Sequence, residues 1–306
     1  MVKSILLTGH TGFLGSVIYK ELRKSFEVVT LGRDSSCDYR VDFSNWDGLL
    51  NLEFSIDAIV HVAGLAHGKS NSDHQMIDVN SGSVEKLLKV SHLHAIKSFV
   101  LISSVAVYGR SYGFNIDEST LPKPLHSYGK SKLLAEKMTL QWASSDENRS
   151  MVNLRLPLIL GSNAPGNLGR LQKSISSGSH IFLKGNEAQK SIVFASDVAN
   201  FISQWLSKSK KESGTINLCN QSAPTFNWIE NAIAELGSFR YRLRIQIRLL
   251  WKVVNWMKAK LNISIPFIGK LFYPLTFSDQ LAREKFGYIS KPLNQTTFTN
   301  EFNSID

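Results

Sequence analysis

The chain is predicted to be an α/β protein: a doubly wound parallel sheet with a smaller mixed α/β substrate-binding lobe. Short, almost wholly apolar runs recur at residues 4–8, 58–64 and 99–104, the pattern of strands buried on both faces. Stretches of helical spacing separate these runs, and the alternation continues to about residue 161. A length of 306 residues accommodates one such sheet domain and a second lobe. The expected boundaries are 1–161 for the sheet domain, with 190–219 returning to it, and 162–189 plus 220–306 for the lobe.

The first strand, residues 4–8, runs directly into Gly9-His10-Thr11-Gly12-Phe13-Leu14-Gly15, and residues 16–24 then carry helical spacing. Gly9 permits a tight turn, Gly12 lets the backbone approach a pyrophosphate, and Gly15 lets helix and strand pack closely. The helix N-terminus adds free N–H groups and a favourable dipole. A glycine turn can be purely structural, but strand before and helix after are the context of a dinucleotide site.

The second strand, 27–31, ends at Gly32-Arg33-Asp34. An acidic residue at that tip would accept hydrogen bonds from the adenosine ribose. Glycine followed by arginine instead suits a 2′-phosphate, although Asp34 could swing in to the ribose. NADP is therefore placed ahead of NAD, with both retained. Asp42 is positioned to accept from the adenine amino group. In the run 58–64, the small residues Ala63 and Gly64 at its C-terminal end leave room for a cofactor, and residues 83–92 supply a crossover helix. Ser104 emerges at the C-terminal end of its strand, the side of such a sheet on which ligands bind.

Tyr128 and Lys132 stand four apart at the start of a run of good helix formers, residues 133–138. On a helix they share one face. An ammonium beside a phenol favours the phenolate, so the tyrosine pKa is expected to fall below about 10 and make an acid–base unit.

Three motifs in one order, Gly9-x-x-Gly12-x-x-Gly15, Ser103-Ser104-Val105-Ala106-Val107-Tyr108-Gly109 and Tyr128-Gly129-Lys130-Ser131-Lys132, resemble the extended short-chain dehydrogenase/reductase family. That group includes nucleotide-sugar epimerases, 4,6-dehydratases and 4-keto-reductases on a Rossmann sheet. Asp57 with residues 61–64, Asn80, Asp117-Glu118, Arg155-Leu156-Pro157, Asn167, Asp197 and residues 279–288 look like its landmarks. The resemblance implies that Tyr128 is the general acid/base and that Lys132 lowers its pKa and binds the nicotinamide ribose. Ser104 would hold the same substrate oxygen. It further implies cofactor contacts from Gly9, Thr11, Gly12, Phe13, Leu14, Gly15, Arg33, Asp42, Phe43, Val62, Ala63, Gly64, Asn80, Ser103 and Pro157, and a substrate-phosphate contact from Asn167. Two departures matter. Val105 and Ala106 stand where the dehydratases carry an Asp-Glu pair, which disfavours elimination. Lys190 stands where the family has a diphosphate-binding arginine.

The implied substrate is a nucleoside-diphosphate hexose, with hydride moving at C4. The weighting falls on a 4-keto-reductase, with a 4-epimerase on a nucleotide-linked or polyprenyl-diphosphate-linked sugar as the alternative, and a non-catalytic cofactor sensor outside that class. A homodimer is the expected assembly.

Composition bounds the rest. The chain has 43% hydrophobic and 20% charged residues, as in ordinary globular proteins, and Cys37 and Cys219 form no CxxC pair. No metal-ligand set, signal peptide or membrane-spanning run is legible, so the expected location is the cytoplasm. The net charge of +10 calls for an anionic partner. Residues 239–249 alternate apolar and basic side chains, predicting a half-buried strand with a cationic face, and residues 250–261 have helical spacing with Trp251 and Trp256 among lysines. Arg244 of that strand would clamp a diphosphate. Alternatively, residues 239–260 would rest on the anionic inner membrane surface, or form an ordinary solvated face. No nucleic-acid-binding module is present.

Overall fold

The apolar runs pair as they alternate along the chain. In the computed structural model, β1 (Ser4–Thr8), β2 (Glu27–Gly32), β3 (Tyr39–Arg40), β4 (Ala58–His61), β5 (Ser98–Ser104), β7 (Ser150–Leu156) and β11 (Gly214–Asn217) form one parallel sheet in the order β3-β2-β1-β4-β5-β7-β11. The structure describes residues 2–53, 55–65, 73–236, 243–246 and 273–303, with the backbone alone for Asn167, Leu183, Lys184 and residues 243–246. The order in which strands are added reverses between β1 and β4, the switch point at which ligands bind in such sheets.

Helices cover both faces. On one, α1 (Phe13–Leu22) and α5 (Ala195–Ser207) bury Ile18, Leu22, Trp205 and Leu206 against Ile5, Leu7 and Val152. On the other, α2 (Asp73–Leu93) and α3 (Ser127–Ser144) bury Val84, Leu87, Ala135 and Trp142 against Leu6, Phe99 and Leu101. Helix α2 begins ten residues before the stretch its spacing predicted. Its first turns bury Met76 beside Asn80, Ser81 and Ser83, and buried polar side chains hide an apolar stripe.

Further elements lie outside that sheet. They are β6 (Gly113–Ile116), β8 (Leu158–Leu160), α4 (Gly166–Ser176), β9 (Ile181–Lys184), β10 (Ile192–Phe194), α6 (Phe226–Leu236), β12 (Leu243–Gln246), β13 (Leu275–Phe277), α7 (Gln280–Phe286) and α8 (Gln295–Asn303). They form three two-stranded parallel ribbons, β8 with β10, β9 with β12 and β6 with β13, and α4, α6 and α8 pack on a core around Phe182, Ile229 and Phe298. The alternating basic segment is thus a strand at 243–246, paired with β9, while 239–242 and 247–260 lie outside the described residues. Residues 279–288 were expected in the lobe. Instead α7 sends Ala282 and Phe286, with Tyr288 beyond it, into the sheet core, because that i, i+4 apolar pair faces Trp205 and Leu206.

One buried polar network holds α3 to the sheet. Glu136 and Arg155, both nearly inaccessible, meet with Arg155 Nη2 2.7 Å from Glu136 Oε2. The Ser103 hydroxyl donates to Glu136 Oε1 at 2.5 Å. Arg155 Nη1 donates to the Tyr108 hydroxyl at 3.0 Å, and that hydroxyl donates to Asn217 Oδ1 at 2.7 Å. Breaking one side of a buried pair strands a charge, which costs about 3–5 kcal/mol, whereas replacing both sides by apolar groups can be neutral. Arg155→Met alone is expected to lose that much stability in urea denaturation, and Glu136→Leu/Arg155→Met to recover most of it. Equal losses in the single and double variants would show that the pair does not act as a unit.

Candidate active site

A cleft of about 780 Å3 opens at the C-terminal ends of β1, β2 and β4. Its floor is the glycine turn. Gly9 has φ +76°, and a Cβ there would stand 2.7 Å from the Ala63 amide nitrogen. A Cβ on Gly15 would collide with the Gly9 carbonyl oxygen. The glycines therefore bring β1, the first turn of α1 and the strand-end residues 62–64 closer than side chains allow. Gly12 is the N-cap of α1 and offers no side-chain cap, so the helix's first N–H groups face the cleft. This cradle fits a dinucleotide pyrophosphate.

Fourteen of the expected residues line this one cleft: Gly9, Thr11, Gly12, Phe13, Leu14, Gly15, Arg33, Asp42, Phe43, Val62, Ala63, Gly64, Tyr128 and Lys132. Asn80 stands behind the wall. Its Oδ1 accepts from the Leu65 amide at 2.6 Å, and its Nδ2 donates to the Leu65 carbonyl and to Ser131 Oγ, both at 3.1 Å. Ser131 in turn donates to the Tyr128 carbonyl at 2.8 Å, so Asn80 ties the cofactor loop to α3. The Ser103 hydroxyl is committed to Glu136 and turned from the cleft. Pro157 follows β7 off the cleft wall, where Ile159 and Pro165 stand instead. Gln75 and Val79, one turn apart on α2, and Cys37 also line the cleft. Nothing in their residue types marked them.

At the tip of β2, Arg33 is exposed, while the Asp34 carboxylate is taken up by the Ser36 amide at 2.9 Å and hydroxyl at 2.7 Å. Those bonds hold its pKa below the usual value. Asp42 is likewise held by Ser44.

At the other end Tyr128 is half-buried, and its phenol is hydrogen-bonded to the Ser104 side chain. Ser104 Oγ also accepts from the Ala106 amide at 3.2 Å, capping the 3-10 turn over residues 105–108. Lys132 is buried, donates to the Ile102 carbonyl at 2.9 Å and lies 6.0 Å from the Tyr128 ring centroid. The expected lowering of the tyrosine pKa is not what this geometry gives. Burial pushes the phenol up, and the Ser104 hydrogen bond acts against that rise. The ammonium is turned onto a backbone carbonyl, and burial pushes it down to about 8 while Glu136 pulls it back up.

Among the proposed substrate residues, Asn167 lies in the first turn of α4 and Arg244 in β12, with side chains outside the description. Lys190 lies off the cofactor cleft. Its Nζ donates to the Tyr273 carbonyl at 2.6 Å, and burial pushes its pKa down to about 8. No group of His, Cys, Asp and Glu among the described residues could hold a metal ion.

The model of the NAD dependent epimerase/dehydratase family matches residues 5–219, and the chain belongs to that family. Fold and family match thus place the chain in a class described as NAD-dependent epimerases and dehydratases. Among curated proteins, N-acetyl-alpha-D-glucosaminyl-diphospho-ditrans,octacis-undecaprenol 4-epimerase of Escherichia coli O157:H7 is 26% identical over 208 residues, 66% of this chain and 62% of that protein. The chain thus matches about three fifths of that relative's length. Among solved structures, UDP-glucose 4-epimerase of Thermus thermophilus in complex with NAD superposes with a TM-score of 0.75 at 20% identity, covering 97% of each chain. RMD of Pseudomonas aeruginosa complexed with NADPH does so with a TM-score of 0.75 at 18% identity, covering 99% of each.

His61 closes the wall between the two ends. It is fully buried, with Nδ1 2.7 Å from Thr8 Oγ1 and Nε2 2.9 Å from Ser83 Oγ. Thr8 Oγ1 already accepts from the Val62 and Ala63 amides and Ser83 Oγ donates to the Asn80 carbonyl, so the ring is neutral with its proton on Nε2. Burial, with the nearby Lys132 charge, pushes its pKa down to about 3 from 6.5. Below pH 6.5 the unfolded chain takes up a proton that the fold refuses, so stability should fall as pH drops from 6.5 toward 3. Urea denaturation across that range should show the slope, and His61→Gln should flatten it. An unchanged slope in the variant would assign the acid sensitivity elsewhere.

Proposed function

We propose that the protein is a sugar 4-epimerase acting on a hexose carried by a diphosphate. The observation that carries the choice of an epimerase is the tight glycine turn with the Asn80-held loop, which favours a retained cofactor. The acid/base part rests on the Ser104 side chain at the Tyr128 phenol, with buried Lys132 on the same helix. The nicotinamide cofactor, when bound, supplies the acceptor and donor of hydride. Tyr128 takes the proton from the sugar O4 as the alcohol is oxidised and returns it after the keto sugar has turned over. Ser104 hydrogen-bonds the same oxygen, and the Lys132 charge stabilises the phenolate while its proton is away. Lys190, Arg244 and Asn167 would hold the diphosphate as the ring rotates. Val105 and Ala106 carry no titratable group, which speaks against elimination of water.

The relative from Escherichia coli is named for a diphospho-undecaprenol sugar, which favours a polyprenyl-diphosphate carrier over a nucleotide. A second reading, a 4-keto-reductase consuming NADPH, is favoured by one observation: Arg33 is exposed at the β2 tip while Asp34 is withdrawn into its own turn.

Denaturing the purified protein and identifying the released cofactor separates the two. Retained NAD, and conversion of the sugar with no change at the nicotinamide absorbance band, is the expected result. Net oxidation of NADPH with a 4-keto sugar would transfer the assignment to the reductase. Tyr128→Phe should lower turnover by about 10²–10⁴-fold with cofactor affinity near wild type. Retained turnover would remove Tyr128 from the acid/base role.

A further inference from the structure

Eleven large hydrophobic side chains are exposed among the described residues, and five belong to one neighbourhood. Four of them, Tyr112, Phe114, Leu121 and Leu125, lie on the loop between Ser104 and Tyr128, with exposures of 65%, 70%, 79% and 63%. Tyr273, 46% exposed, joins them across the β6–β13 ribbon, its ring centroid 6.3 Å from that of Tyr112. The loop is an ordered structure. The Gly113 amide donates to the Pro274 carbonyl at 2.9 Å, and the Asn115 amide to Thr276 Oγ1 at 2.8 Å. Gly109, with φ +63°, lets the returning limb at Lys123 and Leu125 close on the outgoing one. Tyr112 stands at the bend that leads into β6, and Phe114 lies within β6; both are exposed. Scattered surface hydrophobics need no explanation, but four within residues 112–125, on backbone held by hydrogen bonds, do.

Cations outnumber acids among the exposed charges of this stretch. Arg110, Lys123 and Lys130 are exposed on the same stretch. Of the acids, Glu118 is turned inward and accepts from the Asn217 amide at 2.6 Å, while Asp117 and Asp73 are exposed and accept from the Ser119 and Ser127 hydroxyls. Residues 236–278, which end beside this set, contain no Asp or Glu, and the whole chain carries +10. Aromatic and aliphatic side chains rimmed by cations fit the headgroup region of an anionic bilayer, where tyrosine rings settle and lysine and arginine meet phosphates.

We propose that this loop, with Tyr273, is the surface by which the protein docks peripherally on an anionic lipid bilayer. Both ends of the loop lead to the Ser104–Tyr128 pair, and the Tyr273 carbonyl holds Lys190, so docking presents the substrate entrance to the membrane plane. The purpose of the contact rests on the lipid-carried reading of the substrate above. Its existence does not.

The test is flotation of the full-length protein with vesicles of phosphatidylethanolamine and phosphatidylglycerol containing no polyprenyl lipid, at low and high salt. The wild type should float with these vesicles at low salt and far less at high salt, and should stay behind with phosphatidylcholine vesicles. Phe114→Ser/Leu121→Ser should lower the bound fraction by about tenfold, with an unchanged melting temperature. Leu49→Ser/Leu93→Ser, equally exposed elsewhere, should float like the wild type. If Phe114→Ser/Leu121→Ser proves unstable, Tyr112→Ser is measured in its place. A wild type that stays in solution with the anionic vesicles overturns the proposal, as does a loop variant that floats normally. Sedimentation showing a wild-type dimer and a monomeric loop variant would do so too, assigning the surface to a second copy of the chain. Flotation without turnover of a lipid-linked sugar would sink the substrate reading and leave the docking surface standing.

Discussion

Glu136 and Arg155 face each other in a space from which water is excluded, and the position of the catalytic helix follows from that pairing. Each charge is costly to bury alone, and together they are tolerable because neighbouring groups add hydrogen bonds to both. Ser103 caps one carboxylate oxygen, Tyr108 takes a guanidinium proton, and Asn153 donates to the Glu136 carbonyl. Tyr128, Lys132 and Glu136 are spaced i, i+4, i+8 and lie on one face of α3. Fixing Glu136 on β7 therefore fixes the rotation of α3 and the direction in which Tyr128 points. The same carboxylate opposes the loss of charge that burial imposes on Lys132. A structural ion pair and the protonation of the site's lysine are thus one electrostatic arrangement.

The cofactor end is held by neutral groups. His61, Thr8, Ser83 and Asn80 form a chain of hydrogen bonds from β1 through β4 to α2, and Asn80 continues it to Ser131 on α3. A positive cofactor ring and a phosphate pair are to be accommodated beside it. Uncharged donors and acceptors set the shape of the wall there without adding a field that would compete with the helix dipole of α1. Gly64 occupies the junction of the two systems, since a Cβ there would stand 3.0 Å from Asn80 Oδ1 and 3.3 Å from Lys132 Nζ.

Local features of this arrangement were legible in the residues, and features made by folding were not. The glycine turn was readable because Gly9 and Gly15 answer a steric demand between neighbours in sequence, and Tyr128 with Lys132 because one helical turn brings them together. The Glu136–Arg155 pair was invisible, since two ordinary charged residues nineteen apart meet only because α3 lies across β5 and β7. The first half of α2 was missed for a related reason: Asn80, Ser81 and Ser83 are buried polar residues whose partners are distant in sequence. The direction of the Tyr128 shift was misjudged because burial acts on the phenol and the ammonium together, and spacing alone reports only their mutual attraction. The turns of Asp34 onto Ser36 and Asp42 onto Ser44 needed only residues two apart, and are local signals that the order of residues offered and the reading did not use.

The two proposed reactions differ at the end of the cleft remote from the sugar. Ser104, Tyr128 and Lys132 move a proton to or from an oxygen in either reaction, and their geometry favours neither. What separates an epimerase from a reductase is whether the oxidised and reduced cofactor stay through both half-reactions or exchange after one. Retention demands many contacts along the dinucleotide, and exchange demands an adenosine end open to solvent. The tip of β2 offers an exposed cation in Arg33 and a withdrawn carboxylate in Asp34, which leans toward exchange. The enclosing glycine turn and the loop pinned by Asn80 lean toward retention, because both would hold the cofactor where its departure would begin. On the proposed reading, the balance between those ends, and not the identity of the acid/base group, distinguishes the two reactions.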